Sequence, residues 1–216
     1  MRFRRIKMRI SKERTMLVNV IITGVGGQGN VLASQILGRA AVEKGLQVTI
    51  GETFGLSQRG GSVMSHIRIS DLKQYGPLIP PNRADVIVGL EPLETIRIFP
   101  EYGNEQTALL INSRPIYPLN VIAGDVHYPS PEWIRDIITE TGTPLYWLDA
   151  TPLAVELGGP IMLNMIMLGA LCELPFVPVE KGDLEGVLAA IFPESKLKAN
   201  FKALEMGGEL IQKYRK

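Results

Sequence analysis

The sequence is poor in the residues that hold metals and carry electrons. Its 216 residues include one cysteine, Cys172, and two histidines, His66 and His127. A lone thiol forms no internal disulfide and falls short of the four thiolates that an iron–sulfur cluster normally takes. No C-x-x-C pair and no Walker-type phosphate loop is present. A Gly-Asp-Gly opening of the kind that holds a magnesium-bound diphosphate is missing too, since Gly124-Asp125 runs on to Val126 and Gly182-Asp183 to Leu184. No Ser-His-Asp set stands out. The longest apolar run, Ile161 to Leu174, is broken by Asn164 and Glu173 and stops short of the roughly 20 residues of a membrane-spanning helix. These absences point to a cytoplasmic chain without a self-sufficient active site, bound to no membrane. If the protein serves a redox reaction, the electrons travel through another polypeptide.

Apolar residues make up 45% and charged residues 21%, the balance of an ordinary globular protein. The length suits one sizeable domain and is short for two. The net charge of +1 hides an asymmetry. Residues 1–15 carry seven cations, from Arg2 to Arg14, against Glu13 alone, a net +6 that leaves the remainder at −5. Such an arm can bind nucleic acid or an anionic membrane. It also reads as a disordered extension, or as the product of an upstream start ahead of Met16, and this blander reading is the expectation. The arm has neither the apolar core of a secretory signal nor a lipidation motif. The acidic remainder is not that of a nucleic-acid binder.

Residues 16–216 read as a single α/β domain, a layered sheet with helices on both faces, a Rossmann-like opening and a helical C-terminal end. Leu17 to Thr23 is a β-branched run that breaks at Gly24-Val25-Gly26-Gly27-Gln28-Gly29. Apolar residues then recur at helical spacing from Asn30 to Lys44, with Leu32, Ile36 and Ala40 on one stripe and Ala33, Leu37 and Ala41 beside it. Gly45 is placed to end this helix in a left-handed conformation. Gln47 to Ile50 reads as a second strand, and Ser62 to Ile69 alternates as a third, with Val63, Ser65, Ile67 and Ile69 facing one way. Asp85 to Leu90 is a strand covered on both faces. Strands are also expected over Thr107–Ile111 and Leu145–Leu148, and helices over Glu91–Phe99, Pro131–Thr141, near Pro152, after Pro160, and twice in the tail. No internal repeat or linker divides the chain.

Gly24, Gly26 and Gly29 satisfy G-x-G-x-x-G between a strand and a helix. Glycines permit the tight turn, and free N–H groups at a helix start favour an anion. Glu52 stands where a dinucleotide-binding strand carries its ribose ligand. A stand-alone NAD-binding protein is therefore one reading, and glycines that merely let a helix pack hard on a sheet are another. Gln58-Arg59-Gly60-Gly61-Ser62 is the second loaded loop. Arg59 beside two glycines can present a cation and bare amides to a carboxylate or phosphate, or it can pair with another subunit. His66 reads as a packed, hydrogen-bonded strand residue. Glu91 and Glu94, three apart at a helix start, suit the helix dipole.

The two glycine loops, followed by Ser65-His66-Ile67-Arg68, resemble the gamma subunit or domain of the 2-oxoacid:ferredoxin oxidoreductases. Ala84-Asp85-Val86 through Leu90-Glu91-Pro92-Leu93-Glu94 resembles the version found in the small (beta) subunit of the indolepyruvate enzyme. Asn164 with Leu168-Gly169-Ala170, and Asn200 with Ala203 and Gly207, resemble later landmarks of that family. The likeness runs from about Met16 to the C-terminus. Gln-Arg-Gly-Gly and Leu-Glu-Pro-Leu-Glu favour the indolepyruvate version over those for pyruvate, 2-oxoisovalerate or 2-oxoglutarate. The resemblance implies a subunit without cofactors of its own. Its large (alpha) partner would carry thiamine diphosphate, magnesium and iron–sulfur clusters, in a complex that turns aryl 2-oxoacids and coenzyme A into aryl-acetyl-CoA and reduces ferredoxin. It further implies that Gly24, Gly26, Gly27, Gln28, Gly29, Gln58, Arg59, Gly60, Gly61 and Ser62 face the partner's site.

Overall fold

The computed structural model of the protein describes residues 15–54, 61–117, 119–125 and 127–214. The basic arm through Arg14 therefore lies outside the described residues, and so do Gln58, Arg59 and Gly60. The described chain folds as β1 (Leu17–Val25), α1 (Asn30–Glu43), β2 (Gln47–Phe54), β3 (Ser62–Ser70), β4 (Val86–Gly89), α2 (Pro92–Tyr102) and β5 (Ala108–Asn112). There follow α3 (Leu119–Ile122), α4 (Pro131–Glu140), β6 (Leu145–Leu148), α5 (Thr151–Glu156), a 3-10 turn at Pro160–Met162, α6 (Leu163–Leu171), α7 (Lys181–Ile191) and α8 (Glu194–Gln212).

One six-stranded sheet runs β2-β3-β1-β4-β5-β6. β1, β4, β5 and β6 are parallel neighbours, whereas β3 pairs antiparallel with both β1 and β2. The opening is Rossmann-like in its β1-α1-β2 crossover, with one difference in strand order. β2 does lie parallel to β1, but β3 returns as a hairpin partner of β2 and fills the place between them. β2 also runs four residues beyond Ile50, its expected end, to Phe54.

Side-chain alternation sorts the two faces. Val18, Val20 and Ile22 of β1 join Ile67 and Ile69 of β3 under α1, α6, α7 and α8. Ile21 and Met64 point the other way, into a smaller core with Ile98 of α2 and Ile134 and Ile138 of α4. α1 can lie close to the sheet because Gly38 has no Cβ; one there would stand 2.7 Å from Ile50 Cδ1. Gly45 ends the helix at φ 81°, as its place in the sequence suggests.

α6 is buried along its whole length, so its apolar run is core rather than a membrane anchor. Among the described residues no helix is long and apolar enough to cross a membrane. α6 crosses α8 at glycines, since a Cβ on Gly169 would meet the Leu204 carbonyl and one on Gly207 the Ile166 carbonyl. At the sheet's β6 edge the outward backbone of Trp147 is met by one phenol. Tyr214 Oη accepts from the Trp147 N–H at 3.1 Å and donates to its carbonyl at 2.6 Å.

The α6–α8 crossing yields a prediction with a decided sign. Helix propensity alone makes Gly→Ala stabilising by about 1 kcal/mol. The backbone overlap works against it, and overpacking of this kind costs about 1–3 kcal/mol. Gly169→Ala and Gly207→Ala should each lower the thermal midpoint, measured by far-UV circular dichroism; a rise in either would mean that the helices are not held in close contact there.

Candidate functional site

β1, β4 and β5 all end on the same edge of the sheet. α1 leaves β1 for one face and α2 leaves β4 for the other. The gap between β1 and β4 is thus a topological switch point, the place where open α/β sheets hold ligands.

The first glycine loop is stitched across this gap by Gln28. Its Oε1 accepts the Val25 N–H at 2.7 Å, and its Nε2 donates to the Leu90 carbonyl at 2.9 Å. The folded-over amide leaves no room for a side chain at Gly24, where a Cβ would stand 2.5 Å from Gln28 Oε1. Gly27 and Gly29 take φ values of 103° and 86°, a region that L side chains avoid. Gly29 is constrained a second time. Its carbonyl accepts the Ala33 N–H at 3.0 Å and Asn164 Nδ2 at 3.2 Å, with the asparagine amide lying against its Cα. The Gly26 N–H donates to the Gly61 carbonyl at 2.8 Å, and Ser62 pairs with Val25 in the β1–β3 register. Gly24, Gly26, Gly27, Gln28 and Gly29 are therefore brought together with Gly61 and Ser62.

A cleft of about 480 Å³ opens beside the loop. Gly26, Gly27 and Gln28 form one wall; Asn112 at the end of β5, Arg114 beyond it and Thr151 at the start of α5 form another. Ile116, Val155, Ile161 and Leu163 make it largely apolar. Asn112 is buried and bridges the walls, donating to the Leu90 carbonyl at 3.3 Å and accepting from Thr151 Oγ1 at 3.1 Å. Asn112, Arg114 and Thr151 escape a reading of the sequence. Their one signal is a polar residue closing the apolar run of β5, and nothing local ties it to a threonine 39 positions on.

Glu91 caps α2 with Oε2 accepting the Glu94 N–H at 2.9 Å, as its position suggests, but it is only 1% exposed. Its Oε1 accepts from the Tyr128 hydroxyl and from the Ile116 N–H at 3.4 Å, which ties the loop after β5 to the start of α2. Burial raises its carboxyl above the usual range, against the lowering effect of these donors. His66 matches the packed reading. It is fully buried, its Nδ1 accepts the Ile79 N–H at 3.3 Å, its ring meets Tyr102 edge-on, and burial lowers its pKa. Nε2 has no partner.

The NAD reading fares poorly in this geometry. Glu52 is engaged by Ser34 Oγ at 2.8 Å and Ser65 Oγ at 2.5 Å, and β3 separates its strand from the glycine loop's strand. Nor do the donors fit a cluster or a metal-bound diphosphate. Cys172 is the chain's single thiol, with burial pushing it up to about 12, and among the described residues no three His, Cys, Asp or Glu side chains group as metal ligands.

The mixed sheet of this order, with its glycine-walled edge and helical end, is a fold shared with a solved oxidoreductase subunit. The crystal structure of the pyruvate oxidoreductase subunit PORC from Thermotoga maritima superposes with a TM-score of 0.65 at 26% identity, covering 90% of this chain and 96% of that one. The chain belongs to the pyruvate ferredoxin/flavodoxin oxidoreductase family, which it matches over residues 19–210. It is 38% identical to the indolepyruvate oxidoreductase subunit IorB of Pyrococcus horikoshii over 190 residues, 88% of this chain and 93% of that protein. With the 2-oxoglutarate synthase subunit KorC of Methanothermobacter marburgensis the identity is 28%, over 93% of this chain and all of that one.

Glu91 gives a pH dependence of known sign. A carboxyl whose folded pKa is raised stabilises below its ordinary value of about 4.5, and that contribution is lost as pH rises through the raised value. In urea unfolding at several pH values, the stability of wild type minus that of Glu91→Gln should fall as pH increases from 4.5. A difference that grows with pH would show that the hydrogen bonds outweigh burial.

Proposed function

We propose that this chain is the small, non-cofactor-bearing subunit of an indolepyruvate:ferredoxin oxidoreductase. The complex converts aryl 2-oxoacids and coenzyme A to aryl-acetyl-CoA and carbon dioxide, passes two electrons to ferredoxin, and works in the cytoplasm. The observation that carries the reading is the 38% identity to the indolepyruvate subunit over nearly its whole length, against 28% for the 2-oxoglutarate subunit. The donor inventory supports the division of labour. Oxidative decarboxylation draws on thiamine diphosphate with magnesium, and electron transfer draws on iron–sulfur clusters; with one raised thiol here, both belong to the large partner.

This chain contributes a rigid edge. Gln28 and Asn112 converge on the Leu90 carbonyl, so the glycine loop is fixed before any partner arrives. Gly61 and Ser62 meet the first loop there, and the family resemblance assigns Arg59, which lies outside the described residues, to the large subunit's pocket.

The chain co-produced with its large subunit should reduce ferredoxin in a coenzyme A-dependent reaction, with kcat/KM for indolepyruvate well above that for pyruvate or 2-oxoglutarate. By itself it should be inactive and show no cluster absorption. Turnover by the isolated chain, or a preference for pyruvate or 2-oxoglutarate, would overturn the assignment. Arg59→Ala should leave assembly intact and raise KM for the oxoacid or for coenzyme A; unchanged kinetics for both would remove that loop from the pocket.

A further inference from the structure

Between β3 and β4, residues 71–85 form a strap without helix or strand, and its middle lies on the face of β2 and β3 opposite α1. The strap is pinned at both ends. The Asp71 N–H donates to the Met16 carbonyl at 3.3 Å, and Asp71 Oδ1 accepts the Met16 N–H at 3.0 Å. At the other end the Asn82 and Ala84 N–H groups donate to the carbonyls of Glu101 and Tyr102, each at 2.9 Å. Between the pins the strap crosses β2 at Gly51, where a Cβ would stand 2.7 Å from the Pro77 carbonyl oxygen. Two side chains of β3 hold this middle stretch. Arg68 Nη1 donates to the carbonyls of Gly76 at 3.1 Å and Leu78 at 3.2 Å. His66 Nδ1 accepts the Ile79 N–H at 3.3 Å, and Ile79 itself is buried in the smaller core.

Arg68 keeps its charge at every working pH, whereas His66 changes its hydrogen-bonding character near neutrality. To accept at Nδ1 the ring must be neutral, with its hydrogen on Nε2, and among the described residues Nε2 finds no acceptor. The surroundings give a second proton no better reception. Ile21 of β1 and Gly51 of β2 stand opposite the ring in the register, and residues 77–79 of the strap carry no charge. Tyr102 of α2 meets the ring edge-on with 5.2 Å between ring centres, its phenol kept neutral by burial. Burial is the largest influence on His66 and lowers its pKa; Glu101 of α2 works against this and Arg68 adds to it. A proton on Nδ1 turns the acceptor into a donor aimed at the Ile79 N–H, and leaves a buried cation with both ring N–H groups unmet. We infer that residues 76–79 are a proton-released strap with His66 as its catch: the neutral ring holds the strap on the sheet, and the protonated ring lets it lift and admit water. Once open, the ring regains its ordinary value of about 6.5. Opening therefore takes up a proton and is favoured as pH falls below that value, by up to roughly tenfold per pH unit until the lowered value is passed.

The test is amide hydrogen exchange on the full chain, followed by NMR from about pH 7 to about pH 5, with each rate divided by the intrinsic rate at that pH. Protection of the Ile79 amide should hold steady above the ordinary histidine value and then fall, by up to roughly tenfold per pH unit. The amides of Ala84, at the pinned end, and of Leu90, which donates to the Thr23 carbonyl within the sheet, should keep their protection. This comparison needs no variant, so it stands even if a substitution at His66 folds poorly. His66→Asn puts an amide oxygen in place of Nδ1, an acceptor that does not titrate, and should hold Ile79 protection level across the range. His127→Asn, at the other and exposed histidine, should behave as the wild type does. Ile79 protection that ignores pH, that falls in step with Leu90, or that still falls in His66→Asn would each overturn the proposal.

Discussion

The carbonyl oxygen of Leu90 is the point on which the site's architecture turns. It sits just past β4, at the switch point, where three parallel strands end and their backbone groups must find partners. Two side-chain amides converge on it, Gln28 from the loop after β1 and Asn112 from the end of β5. Because the other end of the Gln28 amide holds the Val25 N–H, one side chain fixes the height of the glycine loop over the sheet. Gly24 then has to be glycine, and the cleft acquires a wall that does not depend on a ligand. Such a loop carries little ordering cost when a partner docks against it.

The same economy appears around the glycine helix. Asn164, from the start of α6, reaches the Gly29 carbonyl across 135 residues. α6 is buried along its length and anchored by its glycine crossing with α8. The helical C-terminal end thus props the loop from behind, and the sheet does so from below. A change at Gly207, far from the cleft in sequence, is connected to the glycine loop through this chain of contacts.

Much of the fold could be read from sequence because its elements are locally self-consistent. The period-two pattern of Ser62–Ile69 assigns its side chains to the correct faces, and the run from Asn30 gives a helix whose small residues meet the sheet. Strand order is another matter. Nothing local in Gln47–Phe54 or Ser62–Ser70 shows that the later strand inserts between β1 and the earlier one, since hairpin pairing and crossover skipping leave the same alternation. The glycine loop was legible as a motif, but its apparent dinucleotide character was not sustained, because Glu52 turns to two serines. Asn112, Arg114 and Thr151 were invisible because their relation is purely spatial. Glu91 is legible as a charge that suits a helix dipole, but its capping bond and its burial are not, since Tyr128 arrives from 37 residues away.

At the far side of the molecule, the phenol of Tyr214 occupies both outward backbone groups of Trp147 on β6. An open parallel sheet ends in a row of unused donors and acceptors that invites a stray strand from a neighbouring chain. With one hydroxyl plugging the middle of a four-residue strand, an intruding backbone would have to evict the phenol before it could zip onto β6. The residue two positions past α8 therefore keeps this border of the sheet closed against extension.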